Sequence, residues 1–340
     1  MQGIRIAVDA AGGDLGGRNV ITGALSAARH LGFALTLVGP RSFVKDELQR
    51  QENSIAEEVD VRVVSANQVI AMDEGPRAVR RKPNASVKVA AQVVANGDAA
   101  AFFSAGNTGA TLIAAHSVFG MMPGVERPAL ATTIPTRHRD AVLLDVGATI
   151  DCRPRHLLQF AAMGTVYAKK VLGIENPRVG LLSIGEEAIK GNDLTRDAYQ
   201  LLSDSRIQFI GNLEARELYG GDADVIVCDG FTGNVALKVS EGLVEVVEDL
   251  LRDELNRTFT TQLGYLLSRR SYRRFRRRVD YSEYGGAPLL GVAGLAVVGH
   301  GHSSIKAVRN ALALTYRFVR EGFVRSIDES MTSLNSERSH

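Results

Sequence analysis

Residues 4–14 read Ile4-Arg5-Ile6-Ala7-Val8-Asp9-Ala10-Ala11-Gly12-Gly13-Asp14, an apolar run that stops on a carboxylate and turns on two glycines. Such a run, bounded at once by small polar residues, predicts a buried strand that hands over to a helix. Runs of the same kind occupy residues 35–38, 61–64, 100–104, 141–145, 179–184, 225–228 and 296–298. Segments of helical period lie between most of them. One of these can be followed closely: Pro154 holds a first-turn position, Leu157, Leu158, Ala161 and Val166 form an apolar stripe, and Gly173 follows the last turn. Strands alternating with helices predict a three-layer α/β/α, Rossmann-like fold with a mainly parallel sheet covered on both faces.

Composition bounds what such a fold can do. The chain has 340 residues, 45% of them hydrophobic, which is ample for a large buried core. Its 34 glycines are about a tenth of the chain, against an average near 7%, and they gather where apolar runs end. A net charge of +2 gives no reason to expect nucleic acid as a partner. Two cysteines, Cys152 and Cys228, are too few for a disulfide framework and lack metal-ligand spacing, so no metal site is expected. They read as inert core thiols rather than nucleophiles, since neither has an activating neighbour in sequence. The chain enters its first strand without a charged leader, and no stretch approaches 18 uninterrupted apolar residues. A cytoplasmic, non-spanning protein is therefore expected.

In parallel sheets, ligands bind beyond the carboxyl ends of the strands, where helix N-termini offer backbone N–H groups. Six loops qualify. They begin at Asp9, with Gly12, Gly13 and Asp14; at Ser104, with Gly106, Asn107 and Thr108; and at Asp145. The others run from Ser183 to Lys190 and Asn192, from Asp229 to Gly233 and Asn234, and through His300 and Gly301. These loops are expected to converge on one cleft. None completes a dinucleotide or nucleotide fingerprint, which disfavours NAD and ATP. Small loops rich in N–H, Ser, Thr and Asn donors suit a small anion such as phosphate.

The same loops carry a resemblance. The sequence is similar to the acyl carrier protein-dependent phosphate acyltransferases over nearly its whole length. The motifs are S-A-G-N-T-G-A at 104–110, R-P-A at 127–129, L-L-D-V-G-A at 143–148, G-L-L-S-I-G-E-E with K-G-N-D-L-T within 180–195, C-D-G-F-T-G-N-V at 228–235 and D-Y-S-E-Y-G-G-A-P-L-L-G at 280–291. The chain departs from the family pattern at Ala11, where methionine is usual, at Leu15-Gly16-Gly17, and at Thr149 and Ser183, where asparagine is common. The resemblance implies a fold like that of the isopropylmalate dehydrogenase and phosphotransacetylase group, a homodimer and no cofactor. It implies transfer of an acyl group from acyl carrier protein to inorganic phosphate, the acyl phosphate then serving a membrane glycerol-3-phosphate acyltransferase.

On this reading Ser104, Gly106, Asn107 and Thr108 cradle phosphate, and Lys190 or Asn192 with Gly233 and Asn234 supports the oxyanion. Asp9, Asp14, Asp145 and Asp229 orient these donors, and His300 protonates the leaving thiolate. Bland alternatives stand beside each role: helix capping for the aspartates, a surface ion pair for Lys190, backbone satisfaction for His300. Competing functions are a coenzyme A-dependent phosphate acetyl- or butyryltransferase, a nicotinamide-dependent decarboxylating dehydrogenase, and a non-enzymatic membrane scaffold.

One segment stands apart. Residues 250–279 read as a helical hairpin inserted in a single domain of residues 1–326, with apolar residues before a tip bearing Arg269, Arg270, Arg273, Arg274, Arg276, Arg277 and Arg278. A basic amphipathic helix suits a transient, peripheral contact with an anionic membrane, or docking of an acidic carrier protein; a solvated face is the plain alternative. Residues 327–340, rich in serine, are expected to fray as a disordered tail.

Overall fold

A computed structural model of the protein describes residues 3–13, 16–51, 58–279 and 285–336. Asp14, Leu15 and the first part of the 280–291 motif lie outside the described residues. The described strands are β1 (Arg5–Asp9), β2 (Ala34–Gly39), β3 (Val61–Ser65), β4 (Ala101–Ser104), β5 (Ala129–Ile134), β6 (Ala141–Leu144), β7 (Val179–Ser183), β8 (Phe209–Glu214), β9 (Val225–Val227), β10 (Ala287–Leu290) and β11 (Ala296–Val298). The helices are α1 (Gly17–Leu31), α2 (Arg41–Arg50), α3 (Ala78–Arg81), α4 (Ser86–Ala95), α5 (Thr108–Phe119), α6 (Pro154–Lys170), α7 (Asp193–Ser203), α8 (Gly230–Asn256), α9 (Phe259–Val279), α10 (Ile305–Arg320) and α11 (Phe323–Ser336).

All the described strands join one sheet in the order β3-β2-β1-β4-β11-β10-β5-β6-β9-β7-β8. Most pairings are parallel, and helices cover both faces, as the alternation of runs predicts. Successive strand residues feed opposite cores, as a period of two requires. Ile6, Val8, Phe103, Val142 and Leu144 pack with α1, α6, α10 and α11 on one face. Ala7, Phe102 and Leu143 pack with α3, α4 and α5 on the other.

Strands β5, β8 and β10 have no counterpart in the runs read from sequence. Thr132 and Thr133 interrupt β5, Gly211 and Asn212 interrupt β8, and Pro288 sits inside the four residues of β10, so none presents an apolar run. Two of these decide the topology. β10 is antiparallel to both β11 and β5, and β5 is antiparallel to β6. Three successive reversals leave β6, β9, β7 and β8 running against β1, β2, β3, β4 and β11.

The six strand ends expected at one cleft leave from both edges of the sheet: the loops after β1, β4 and β11 leave at one, and those after β6, β9 and β7, the last with Lys190 and Asn192, at the other. The hairpin also differs from expectation, because its first arm, α8, starts at Gly230 rather than near residue 250. The tail is corrected too: α11 extends to Ser336, with Phe323, Ile327 and Met331 buried against α6.

Candidate active site

At the seam, β5 and β6 are joined by a short hairpin and β10 and β11 by a short turn, so no crossover helix covers that part of the sheet. A cavity of about 1010 Å3 opens there. Its polar wall includes Thr108, Gly147, Asn234, Lys238, Glu241 and His300, and its apolar wall includes Leu130, Ile134, Leu237, Leu243, Val244 and Phe275.

The loops after β1, β4 and β11 meet beside this cavity. A Cβ on Gly12 would lie 2.9 Å from the Asp9 carboxylate and from Gly106, and one on Gly13, whose φ is +101°, would lie 3.3 Å from the Gly301 carbonyl. Only glycine allows these backbones so close. Asp9 is buried and accepts the Ser104 hydroxyl at 2.8 Å, while Ser104 Oγ accepts the Gly106 N–H at 3.1 Å. Burial pushes the Asp9 carboxyl above its ordinary range, against the lowering effect of bonds from Ser86, Ser104 and the backbone of Ala11 and Gly12. Ser104 is fully buried and serves to lock two loops together.

Asn107 is engaged within the fold as well. Its Oδ1 caps α5 by accepting the Ala110 N–H at 3.0 Å, and its Nδ2 donates to the carbonyls of Met72 (3.2 Å) and Glu74 (2.9 Å). Of the four residues expected around phosphate, Thr108, in the first turn of α5, lines the cavity.

On the far side of the seam, the fully buried Asp145 follows a cis peptide bond after Leu144. Its Oδ1 accepts the N–H groups of Leu130 (2.9 Å), Gly147 (3.0 Å) and Ala148 (2.9 Å), and its Oδ2 accepts that of Thr149 (2.6 Å). Asp145 thus shapes the turn that presents Gly147 to the cavity. Burial raises its carboxyl to about 6, with the four N–H bonds opposing that rise. Thr149 donates its hydroxyl to the Pro128 carbonyl at 2.8 Å.

Asp229 caps α8 through the Thr232 N–H at 2.9 Å, and the Gly230 N–H reaches the Thr149 carbonyl at 2.9 Å. Gly233 is buried where a Cβ would lie only 2.0 Å from the Asp145 carbonyl oxygen, so α8 starts pressed against the Asp145 turn. From there α8 runs over the seam toward His300. Asn234 lines the cavity and donates to the Val146 carbonyl at 3.0 Å.

Lys190 and Asn192 are exposed and do not line the cavity. Asn192 caps α7 by accepting the Thr195 N–H at 2.9 Å. Both thiols are held protonated: burial, aided by Asp145 and Asp229, pushes Cys152 up to about 12 and raises Cys228 well above its ordinary value. Among the described residues no group of three His, Cys, Asp or Glu could hold a metal ion, and no helix is long and apolar enough to cross a membrane.

Sequence reading missed Lys238 and Glu241. With Asn234, Glu245 and Glu248 they fall at intervals of three or four residues and all line the cavity, a polar stripe along α8. The signal was present as helical spacing continuing past the 228–235 motif, but such a stripe also describes an ordinary solvated face. Of the expected basic surface, Arg276 lines the cavity and pairs with Glu248 at 3.3 Å, and Arg278 donates to the Thr136 carbonyl at 2.8 Å. Arg269, Arg270, Arg273 and Arg274 are exposed on α9.

Known proteins bear on this site. Residues 4–326 match the family model described as "Fatty acid synthesis protein". A phosphate acyltransferase of Nitratidesulfovibrio vulgaris is 48% identical over 323 residues, covering 94% of this chain and 93% of the relative. One of Citrifermentans bemidjiense is 46% identical over 320 residues, covering 94% and 90%. Among solved structures, a phosphotransacetylase from Streptococcus pyogenes superposes with a TM-score of 0.62 over 94% of this chain and 95% of its own, at 16% identity, a likeness of fold. With a family model spanning the sheet, the seam and the cavity, and relatives matched nearly end to end, the chain belongs to the fatty acid synthesis protein family of phosphate acyltransferases and is an acyltransferase.

Proposed function

We propose that the protein takes the acyl group of an acyl carrier protein thioester and places it on inorganic phosphate, giving acyl phosphate and the free carrier thiol. The observation that supports this reading is the seam cavity of about 1010 Å3, lined both by polar groups that include Thr108 in the first turn of α5 and by apolar side chains. Phosphate sits at the first turn of α5 beside Thr108, where the helix dipole and N–H groups favour an anion. The thioester carbonyl lies toward Gly147 and Asn234, whose donors stabilise the oxyanion, each for about 3–4 kcal/mol in favourable sites. His300 faces the leaving sulfur, and the alkyl chain runs along Leu237, Leu243, Val244 and Phe275.

Asp9, Asp145 and Asp229 hold the loops that present these groups. Lys190 and Asn192 have no part in this arrangement within one chain. The enzyme works as a homodimer without a cofactor, at the cytoplasmic membrane surface, and a membrane glycerol-3-phosphate acyltransferase consumes its product. The test incubates purified protein with long-chain acyl carrier protein and phosphate, trapping acyl phosphate with hydroxylamine and titrating free carrier thiol, with a phosphate-free control. Phosphate-dependent formation of both products is expected. Thiol release without acyl phosphate would make the protein a hydrolase, and turnover of acyl-coenzyme A alone would move it to the coenzyme A-dependent class.

A further inference from the structure

Two turns of α8 beyond the oxyanion donor Asn234, one carboxylate contacts two nitrogen-bearing side chains. Glu241 Oε2 accepts Lys238 Nζ at 2.7 Å, and Glu241 Oε1 lies 3.4 Å from His300 Nε2. The same His300 nitrogen lies 3.2 Å from Lys238 Nζ. All three residues line the cavity, and the Glu241 side chain is only 15% exposed. Burial acts to raise the Glu241 carboxyl, but its bonds to His300 and Lys238 prevail and hold it below the usual range, so it stays ionised.

Acyl transfer to hydrogen phosphate has a proton to move. A phosphate oxygen attacks the thioester carbon, the C–O bond forms, the C–S bond breaks with its electron pair on sulfur, and the phosphate proton ends on the thiol. The tetrahedral adduct can also fall back. Phosphate groups take their second proton near pH 6, and a thiol near 8.5, so phosphate is the better leaving group unless sulfur is protonated as it departs. One imidazole that accepts the phosphate proton and delivers it to sulfur solves this, provided the ring is held and its charged form stabilised. Glu241 at Nε2 holds the ring and stabilises the imidazolium formed when the other ring nitrogen takes the phosphate proton, and Lys238 fixes the Glu241 carboxylate.

We infer that Lys238 and Glu241 are positioning residues that hold His300 as the proton carrier between attacking phosphate and leaving thiol. This rests on the acyl-to-phosphate reading above. The test compares the unsubstituted enzyme with Glu241→Gln and Lys238→Met on two esters of one fatty acid, the carrier-protein thioester and the 4-nitrothiophenyl ester, whose more acidic thiol leaves without a proton. On the carrier thioester kcat should fall about 10- to 100-fold, the lower part of the range for acid–base catalysis, with KM within about threefold. On the aryl ester the fall should be less than about threefold. Equal losses on both esters, or none on the carrier thioester, overturn the inference. Where the unsubstituted enzyme does not turn over the aryl ester, the solvent deuterium isotope effect on kcat with the carrier thioester decides, and an effect unchanged by Glu241→Gln overturns it. An unsubstituted enzyme that makes no acyl phosphate at all would instead bring down the acyl-to-phosphate reading.

Discussion

Four backbone N–H groups converge on the Asp145 carboxylate, and its protonation is therefore written into stability. The folded protein keeps this proton up to about pH 6, while the unfolded chain releases it near 3.8. Between those values the folded state binds more protons, so this group's contribution to stability falls as pH rises through the window and is constant above it. The full loss is about 3 kcal/mol, from a shift of roughly two units at 1.36 kcal/mol each. Asp145→Asn cannot titrate. Urea unfolding of both proteins at pH 4, 5 and 7 should show the variant gaining about 2 kcal/mol relative to the parent between pH 4 and 7, whatever its offset. A constant difference would show that Asp145 is ionised throughout. The sequence made Asp9, Asp145 and Asp229 visible because a carboxylate at a glycine turn is a recognisable cap. It hid Lys238 and Glu241, because their meaning comes from a partner 59 to 62 residues away on another loop.

At the scale of elements, strong local signals were read correctly and weak ones were lost. The α6 helix announced itself by Pro154 and an apolar stripe, and it spans Pro154–Lys170. The α11 helix did not, since its serines and threonine look like a frayed end, yet Phe323, Ile327 and Met331 recur every four residues and all three are buried. Periodicity outweighs composition there, because one buried face fixes a helix whatever its other side carries. Met331, with no exposed surface, should therefore matter to the whole domain. Met331→Ala is expected to cost about 2–4 kcal/mol in a urea titration, by transfer and cavity terms. A loss under about 0.5 kcal/mol would mean that α11 leaves α6 in solution.

For the whole molecule, the reversal at the seam was not legible, because β5 and β10 are too polar or too short to read as strands. This reversal sends the loops after β6, β9 and β7 to the edge opposite those after β1, β4 and β11, and of the three the one after β7, with Lys190 and Asn192, does not reach the cavity beside β5. The α8–α9 hairpin continues from that cavity outward, and its surface explains how a chain of net charge +2 could still seek an anionic partner. Exposed Phe259, Leu263, Leu266 and Leu267 lie on the same helix as Arg269, Arg270, Arg273 and Arg274, an apolar and a basic set suited to the headgroup boundary of a membrane. Each arginine near an anionic surface contributes about 1 kcal/mol, so changing these four to glutamine should weaken binding by up to about 4 kcal/mol, close to a thousandfold. Sedimentation with anionic liposomes measures it. The parent should pellet with anionic and not with neutral vesicles, and added salt should release it, since exposed charges are screened beyond about 8 Å at physiological ionic strength. Sedimentation unchanged by the four substitutions would sink membrane association through this surface. A raised KM for acyl carrier protein in the same variant, with liposome binding intact, would give the arginines to the carrier, whose acidic surface they would steer toward the cavity mouth.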